Sequence, residues 1–310
     1  MFIEKIENMA SNQPYSRIDQ IPKGRAKGAM LDYCLVLEGG AFRGLYTQGV
    51  LDALMLNEIN ASAVIGVSAG ALAAINYVSG QIGRSARINL TYRHNSEYVG
   101  LKALRKCRSP LNIDFLFSNK VISEELDRLA FDNSSVRLTV VTTNCLTGQT
   151  EYFEKGKCKD FYSAVKASAS MPYLSPMISI EGTPHLDGGC SCNIPYQWAL
   201  DGNYRKIIVV KTRDRSFRKE IGTISKVPER IYRNHPEFAK RLEIKEIEYN
   251  RECDAVDELE KQSRVFVLAP SEEVTVDRLE SDLEKLGDLY WLGFNDTVEK
   301  LADIKDYLLS

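Results

Sequence analysis

The sequence predicts an α/β layered fold with a largely parallel sheet. Short apolar runs suited to strands, at 33–38, 62–67, 136–143, 206–212 and 264–269, alternate with helical patterns at 45–57, 69–79, 86–106, 121–130 and 160–169. The first two runs, with the helix between them, have the length of a compact right-handed βαβ unit. At 310 residues the chain can bury a sizeable core, as one large α/β domain or two small ones.

Taken in order, residues 1–30 are polar and rich in turn formers, and read as a loosely packed N-terminal arm with no apolar h-region of a secretory signal. Residues 31–215 hold the alternating pattern. Its first strand runs into "LEGGAFRGLYTQGV" (37–50): Gly39 and Gly40, then Arg43, Gly44 and a helical pattern. A glycine-rich turn between strand and helix holds negative charge. The G-x-G-x-x-G spacing of a dinucleotide site is absent, as is the G-K-[ST] of a P-loop.

No charge occurs from 59 to 83, and Gly66 and Gly70 form a G-x-x-x-G. Asn60, Ser62, Ser68, Asn76, Ser79 and Gln81 interrupt this stretch, and a β-branched run, "AVIGV", changes into "AGALAAINYV". That is a buried strand–turn–helix rather than a membrane span. Residues 213–262 are charged and helix-prone, an insertion before the strand "RVFVLAP". Helices continue to the end and are expected to break near Gly287 and Gly293. The C-terminal region, 216–310, is thus mostly helical with one strand at 264–269, suited to covering a sheet edge, forming a lid or mediating self-association.

A formal net charge of −2 gives no global signal for nucleic acid. Charge is uneven: residues 84–108 hold seven Lys/Arg and one acid, and residues 272–310 hold eleven acids and four Lys/Arg. The first stretch interleaves its cations with Tyr92, Tyr98, Leu101 and Leu104, a candidate for transient contact with a membrane surface, against the plainer reading of a solvated helix. "RKIIVVKTRDRSFRKE" is a second basic cluster, equally readable as a strand end with exposed charges. Seven cysteines form no C-x-x-C pair, and Cys190 and Cys192 are too close for ordinary zinc ligands. Reduced packing thiols and a cytoplasmic location, peripheral at the inner membrane surface if the basic stretch engages it, are expected, with no metal and no cofactor.

"IGVSAGA" (65–71) contains G-x-S-x-G, formed by Gly66, Ser68 and Gly70, between a strand pattern and a helix pattern. A nucleophile on so sharp a turn needs small residues two before and two after, so that strand and helix cross closely. The following helix points its positive end at the serine. A plain packing turn is the competing reading. A serine needs a base. His94 and His235 lie in charged segments and read as surface residues, although His235 follows Ser68 and Asp187 in the order of an α/β-hydrolase triad. His185 would share a strand face with Asp187. Asp187 itself opens "DGGCSCNIP", where Gly188 and Gly189 allow a tight loop; an ordinary Asp-Gly turn is the alternative.

Together "EGGAFRG", "GVSAG" and "DGG…N-x-P" resemble the motifs of the patatin-like phospholipase family, over roughly residues 31–215 plus the strand near 264–269. The resemblance implies a three-layer α/β/α sandwich related to cytosolic phospholipase A2, and hydrolysis of lipid acyl esters without a metal in the chemical step. It implies that Ser68 is the nucleophile and Asp187 the general base. Gly39, Gly40 and Ala41, with Arg43, would form the oxyanion hole, and Gly44, Gly66, Gly70, Gly188 and Gly189 support the turns. The pattern often has a third glycine where this chain has Ala41, so a positive φ there would strain the loop. The implied partner is a lipid or acyl-ester substrate and not nucleic acid; oligomeric state is left open. Two rival functions remain: a lipid-binding or regulatory module on the same fold, and an α/β-hydrolase-type esterase with His235 or His185 as base.

Overall fold

The computed structural model describes residues 14–121, 124–222 and 227–310. Its main elements, in chain order, are β1 (Met30–Leu37), α1 (Gly44–Leu56), β2 (Asn60–Val67), α2 (Ala69–Val78), α3 (Arg84–Tyr92), α4 (Leu101–Cys107), α5 (Arg128–Asn133) and β3 (Arg137–Asn144). Then follow β4 (Thr150–Glu154), α6 (Phe161–Ser168), β5 (Ile178–Ile180), β6 (Thr183–Asp187), α7 (Tyr196–Asp201) and β7 (Ile207–Val210). The chain closes with α8 (Val227–Ile231), α9 (Pro236–Lys261), β8 (Phe266–Leu268), α10 (Leu283–Glu299) and α11 (Leu301–Leu309).

The sheet runs β8-β7-β1-β2-β3-β6-β5, with β4 also on β3. Its first five strands are parallel and β4, β5 and β6 pair antiparallel. Successive side chains of a strand face opposite sides, so β1 sends Tyr33, Leu35 and Leu37 into one core and Cys34 and Val36 into another. The first core is closed by α1, α2, α3, α6 and α10, the second by α7 and α9. Three layers result, and burial on both faces explains why the parallel strands are apolar along nearly their whole length.

Register decides where the chain's polar turns fall. β2 pairs with β3 up to Val67↔Val141, and β6 pairs with β3 from Thr142↔Asp187 onward. β4 pairs with β3 over 139–143, overlapping both, so it occupies the opposite edge. β2 and β6 therefore meet end to end along one edge of β3. Residues 68 and 187 sit at that junction.

Several elements differ from expectation. The pattern over 86–106 forms two helices, broken where Asn95 Oδ1 accepts the Glu97 N–H and Gly100 takes φ 135°. In place of a helix over 121–130, α5 begins at Arg128, where Asp127 caps it by accepting the Ala130 N–H at 2.9 Å; residues 122–123 lie outside the described residues. The expected breaks at Gly287 and Gly293 are absent, and α10 runs through both. These glycines serve close packing: a side chain on Gly293 would collide with the Tyr46 carbonyl of α1, and one on Gly287 with the Tyr15 ring. That ring shows that residues 14–30 are not a loose arm, since Tyr15 and Ile21 are buried; residues 1–13 lie outside the described residues. β4, β5 and β6 have no counterpart among the expected strands, because they are short, antiparallel and, in "TPHLD", interrupted by proline.

Candidate active site

Ser68 follows β2 directly and is the N-cap of α2, with φ 54° and ψ −118°. A non-glycine residue holds this conformation only when its surroundings over-determine it. They do so here. An added Cβ on Gly66 would lie 2.6 Å from the Gly70 backbone, and one on Gly70 would lie 2.6 Å from the Leu37 carbonyl oxygen. Only glycines let β1, β2 and α2 approach this closely. The Ser68 N–H donates to Ser168 Oγ at 2.9 Å.

Ser68 Oγ donates to Asp187 Oδ2 at 2.7 Å, across a sequence separation of 119. The second oxygen, Oδ1, accepts the Gly189 N–H at 2.8 Å, and the Asp187 N–H donates to the Ser170 carbonyl at 2.9 Å. Behind it, the Gly188 carbonyl accepts from Ser191 and Cys192 in a tight turn. Asn193 and Ile194 donate their N–H groups to Glu252 of α9, so a C-terminal helix pins the loop that follows Asp187. Burial pushes the Asp187 carboxyl up to about 6, opposed by the hydrogen bonds from Ser68 and Gly189 and by the charges of Arg278 and Lys219.

The glycine loop follows β1, whose last residue, Leu37, pairs with Gly66 on one side and Val210 on the other. Gly39 lies against Ser68, and Gly44 against Ala69. Glu38 is buried and accepts the Thr212 N–H at 2.5 Å, joining this loop to the one after β7. Ala41 has φ 51°, so the alanine occupies the left-handed region, at a cost of roughly 1 kcal/mol or more over glycine. The N–H groups of Gly39, Gly40 and Ala41 have no protein acceptor among the described residues, and all three residues line the cavity beside Ser68.

That cavity has two lobes. A narrow apolar slot is lined by Leu45, Leu72, Ile88, Leu116 and Phe117 among others. A polar lobe of about 430 Å³ contains Asp187, Arg43, Arg213, Lys219, Lys245 and Arg278. Ala41, Ser68, Met171 and Leu279 line both, so the lobes meet at the serine hydroxyl.

The histidines lie elsewhere. His185 is buried on β6, and its ring nitrogens meet the Thr183 carbonyl at 2.9 Å and Glu151 at 2.8 Å. His235 occupies the N-cap position of α9 without a side-chain capping bond, and neither residue lines the cavity. His94 is not a free surface residue: its Nε2 meets the Ser281 carbonyl at 2.8 Å. The basic stretch 84–108 is not one solvated face either. Arg84, Arg87 and Arg93 are buried against internal acceptors, and the exposed portion is α4. All seven cysteines are free thiols.

The patatin-like phospholipase model matches residues 35–200, more than half of the chain. The chain belongs to the patatin-like phospholipase family. A second model, a domain of unknown function (DUF6363), matches residues 235–309, the stretch from α9 to α11. The uncharacterized protein YjjU of Escherichia coli (strain K12) is 26% identical over 219 residues, 67% of this chain and 56% of that protein. The chain thus spans about half the length of this curated relative. The crystal structure of VipD from Legionella pneumophila aligns with a TM-score of 0.48 and 15% identity, covering 97% of this chain and 73% of that one.

Within the patatin-like region fall Ser68, Asp187 and the glycine loop. Outside it fall Arg213, Lys219, Lys245 and Arg278, which sequence reasoning missed as cavity residues. The basic cluster after β7 held a signal for the first two. Lys245 and Arg278 had none, because they reach the cavity from α9 and from the loop before α10. Ser168 and Ser170 also went unseen, because a serine that serves as a hydrogen-bond partner leaves no motif.

Proposed function

We propose that this protein is a serine acyl-ester hydrolase acting on lipids of the phospholipid or lysophospholipid class. Ser68 is the nucleophile, Asp187 the base, and the amides around Gly40 and Ala41, with Arg43 beside them, the oxyanion hole. The observation that carries this reading is the 2.7 Å hydrogen bond from Ser68 Oγ to the buried Asp187 carboxylate, at the meeting point of an apolar slot and a polar lobe. Ser68 Oγ attacks the ester carbonyl while Asp187 takes its proton, and the oxyanion forms against backbone donors worth about 3–4 kcal/mol each in comparable sites. The C–O bond to the alcohol breaks and Asp187 returns the proton to the leaving oxygen. Water, deprotonated by Asp187, then attacks the acyl carbon, the bond to Oγ breaks, and Asp187 returns the proton to Ser68 Oγ as the fatty acid leaves.

Residues 31–215 form the catalytic core in this reading, and the C-terminal region completes the cavity wall. No helix among the described residues is long and apolar enough to cross a membrane. Access to lipid is assigned to α4, where Leu101 and Leu104 are exposed beside Lys102, Arg105 and Lys106. Leu101→Asp is expected to weaken cosedimentation with anionic vesicles, and unchanged binding would exclude this surface.

The deciding experiment is labelling of the folded protein with a fluorophosphonate probe, followed by mapping of the adduct. An adduct on Ser68, lost in Ser68→Ala and in Asp187→Asn but kept in His235→Ala, is expected. Loss of labelling with His235→Ala would replace the dyad by a triad. No adduct on Ser68 would favour a lipid-binding module.

A further inference from the structure

We propose that Glu252 of α9 is a positioning residue for the reaction: by accepting the N–H groups of Asn193 and Ile194 it fixes the loop that aims Asp187 at Ser68. As a statement about turnover this rests on the hydrolase reading above. As a statement about the loop it stands on hydrogen bonds alone. It gives the C-terminal helices a part in the site beyond walling the cavity.

Of the two Asp187 carboxylate oxygens, Oδ2 faces Ser68 and Oδ1 is oriented by one backbone donor, the Gly189 N–H at 2.8 Å. That donor belongs to a glycine turn, which keeps its shape only where its surroundings hold it. Asn193 lies on the turn: its Oδ1 would be 3.3 Å from a Cβ added to Gly189. Asn193 is in turn held from α9. Glu252 Oε2 accepts the Asn193 N–H at 3.0 Å and the Ile194 N–H at 3.2 Å, and Oε1 lies 3.2 Å from the Asn193 nitrogen. Neither N–H has another acceptor among the described residues. Two successive peptide donors thus converge on one carboxylate, and bonds to a charged acceptor are the stronger kind.

The helix that carries Glu252 is firmly seated. Tyr249, Cys253 and Val256 pack in the second core, while Phe238 and Leu242 pack with Leu186 and Cys190, which flank Asp187 in the chain. Lys245, Tyr249 and Glu252 follow i, i+4, i+7 spacing and share one face of α9. The first two line the cavity, and Glu252 reaches the loop behind it. Asn250 exchanges two hydrogen bonds with the Lys219 backbone, at 2.8 and 2.9 Å, and Lys219 Nζ reaches Asn193 Oδ1 at 3.4 Å. Burial works against the charge of Glu252, raising its carboxyl to about 7, and the Asn193 and Ile194 amides oppose this most strongly. Carboxylate and loop therefore stabilise each other. Glu252 lies outside the patatin-like region, so none of the three sequence motifs contains it.

The test compares Glu252→Ala, Glu252→Asp and Glu252→Gln with Glu258→Ala, which removes an exposed carboxylate from the same helix. Turnover of a soluble chromogenic ester is measured at about pH 8, where Asp187 and Glu252 are both ionised. Glu252→Ala is expected to lower kcat about tenfold or more with KM changed less than about twofold, because the base is misdirected while the cavity keeps its lining. Glu252→Asp keeps the charge but withdraws it by one methylene. It should behave like the alanine variant, and it carries the test should that variant not fold. Glu252→Gln keeps an acceptor oxygen within reach of both N–H groups and should recover kcat to within about threefold of wild type. Glu258→Ala should match wild type. In parallel, hydrogen exchange of residues 188–195 is followed by mass spectrometry. Faster exchange is expected in the alanine and aspartate variants and near wild-type exchange in the glutamine variant. Unchanged kcat in a folded alanine or aspartate variant, a loss that glutamine does not recover, or an equal loss in Glu258→Ala overturns the positioning role. A wild-type protein that turns over no ester defeats the hydrolase reading. Exchange then decides the loop: unchanged exchange overturns the hold of Glu252, and faster exchange upholds it.

Discussion

Ser68 and Asp187 illustrate how two ordinary side chains acquire unusual properties from their position. Asp187 is 7% exposed, and the loss of water is the largest influence on its carboxyl, raising it to about 6. A base must be ionised to accept a proton. With Asp187 in the proposed role of base, activity on a neutral chromogenic ester is expected to be half-maximal near pH 6, to level off about one unit above that, and to approach a tenfold fall per pH unit on the acid side. A pH–rate profile with no acidic limb near 6 would remove Asp187 from the role. Asp187→Asn should lower kcat by a factor on the order of 10²–10⁴. Ala41 makes a separate point, because its φ of 51° suits glycine. Ala41→Gly relieves that strain but frees the unfolded chain, so a net gain of up to about 1 kcal/mol is expected in urea unfolding. A clear loss of stability would show that the alanine methyl packs usefully.

Between elements, the tightest junction is the crossing of α1 and α10. Side chains added to Gly49 or Gly293 would overlap the carbonyl groups of Tyr290 and Tyr46 respectively. Around that contact the tyrosines exchange partners: Tyr46 donates to Asp296 at 3.0 Å and Tyr290 to Asp52 at 2.9 Å. Gly293→Ala should therefore cost about 3 kcal/mol, although alanine is the better helix former by about 1 kcal/mol. A stabilised Gly293→Ala protein would show that the helices can separate freely. The same reasoning explains why glycine in "LGFND" misleads as a helix break. Its purpose is an approach by a segment some 240 residues away, and no local window of sequence contains that segment.

For the whole molecule, three buried carboxylates set the pH dependence of stability. Asp52 and Glu252 are raised to about 7 and Asp187 to about 6, in each case chiefly by burial. Their folded-state values exceed the unfolded ones near 4, so the folded protein binds more protons between about pH 4 and 7. Their contribution is complete below about pH 4 and is lost as pH rises through 6 to 7, by up to about 1.4 kcal/mol per pH unit for each group. Melting temperature is accordingly expected to be higher at pH 5.5 than at pH 7.5. Asp52→Asn, which can keep its bonds to Gly83 and Tyr290, should flatten the slope. A melting temperature that rises from pH 5.5 to 7.5 would contradict the account.

The layered fold and its parallel strands were legible in the sequence because strands buried on both faces must be apolar. Ser68 and its flanking glycines were legible because the sharp turn admits few other residues. The antiparallel strands β4, β5 and β6 were not, since short and partly exposed strands carry weak patterns. Nor could any local pattern show that β2 and β6 abut on one edge of β3, which is what brings residue 187 to residue 68. The sequence by itself determined the sheet, the serine turn and the glycine loop, all enforced by steric demands within a few residues. Only the tertiary structure brings Ser68 within hydrogen-bond reach of Asp187 while leaving the histidines outside the cavity, and gathers Arg43, Arg213, Lys219, Lys245 and Arg278 into one lobe. Both depend on strand register and helix packing between distant segments, where burial and charge act through space rather than along the chain.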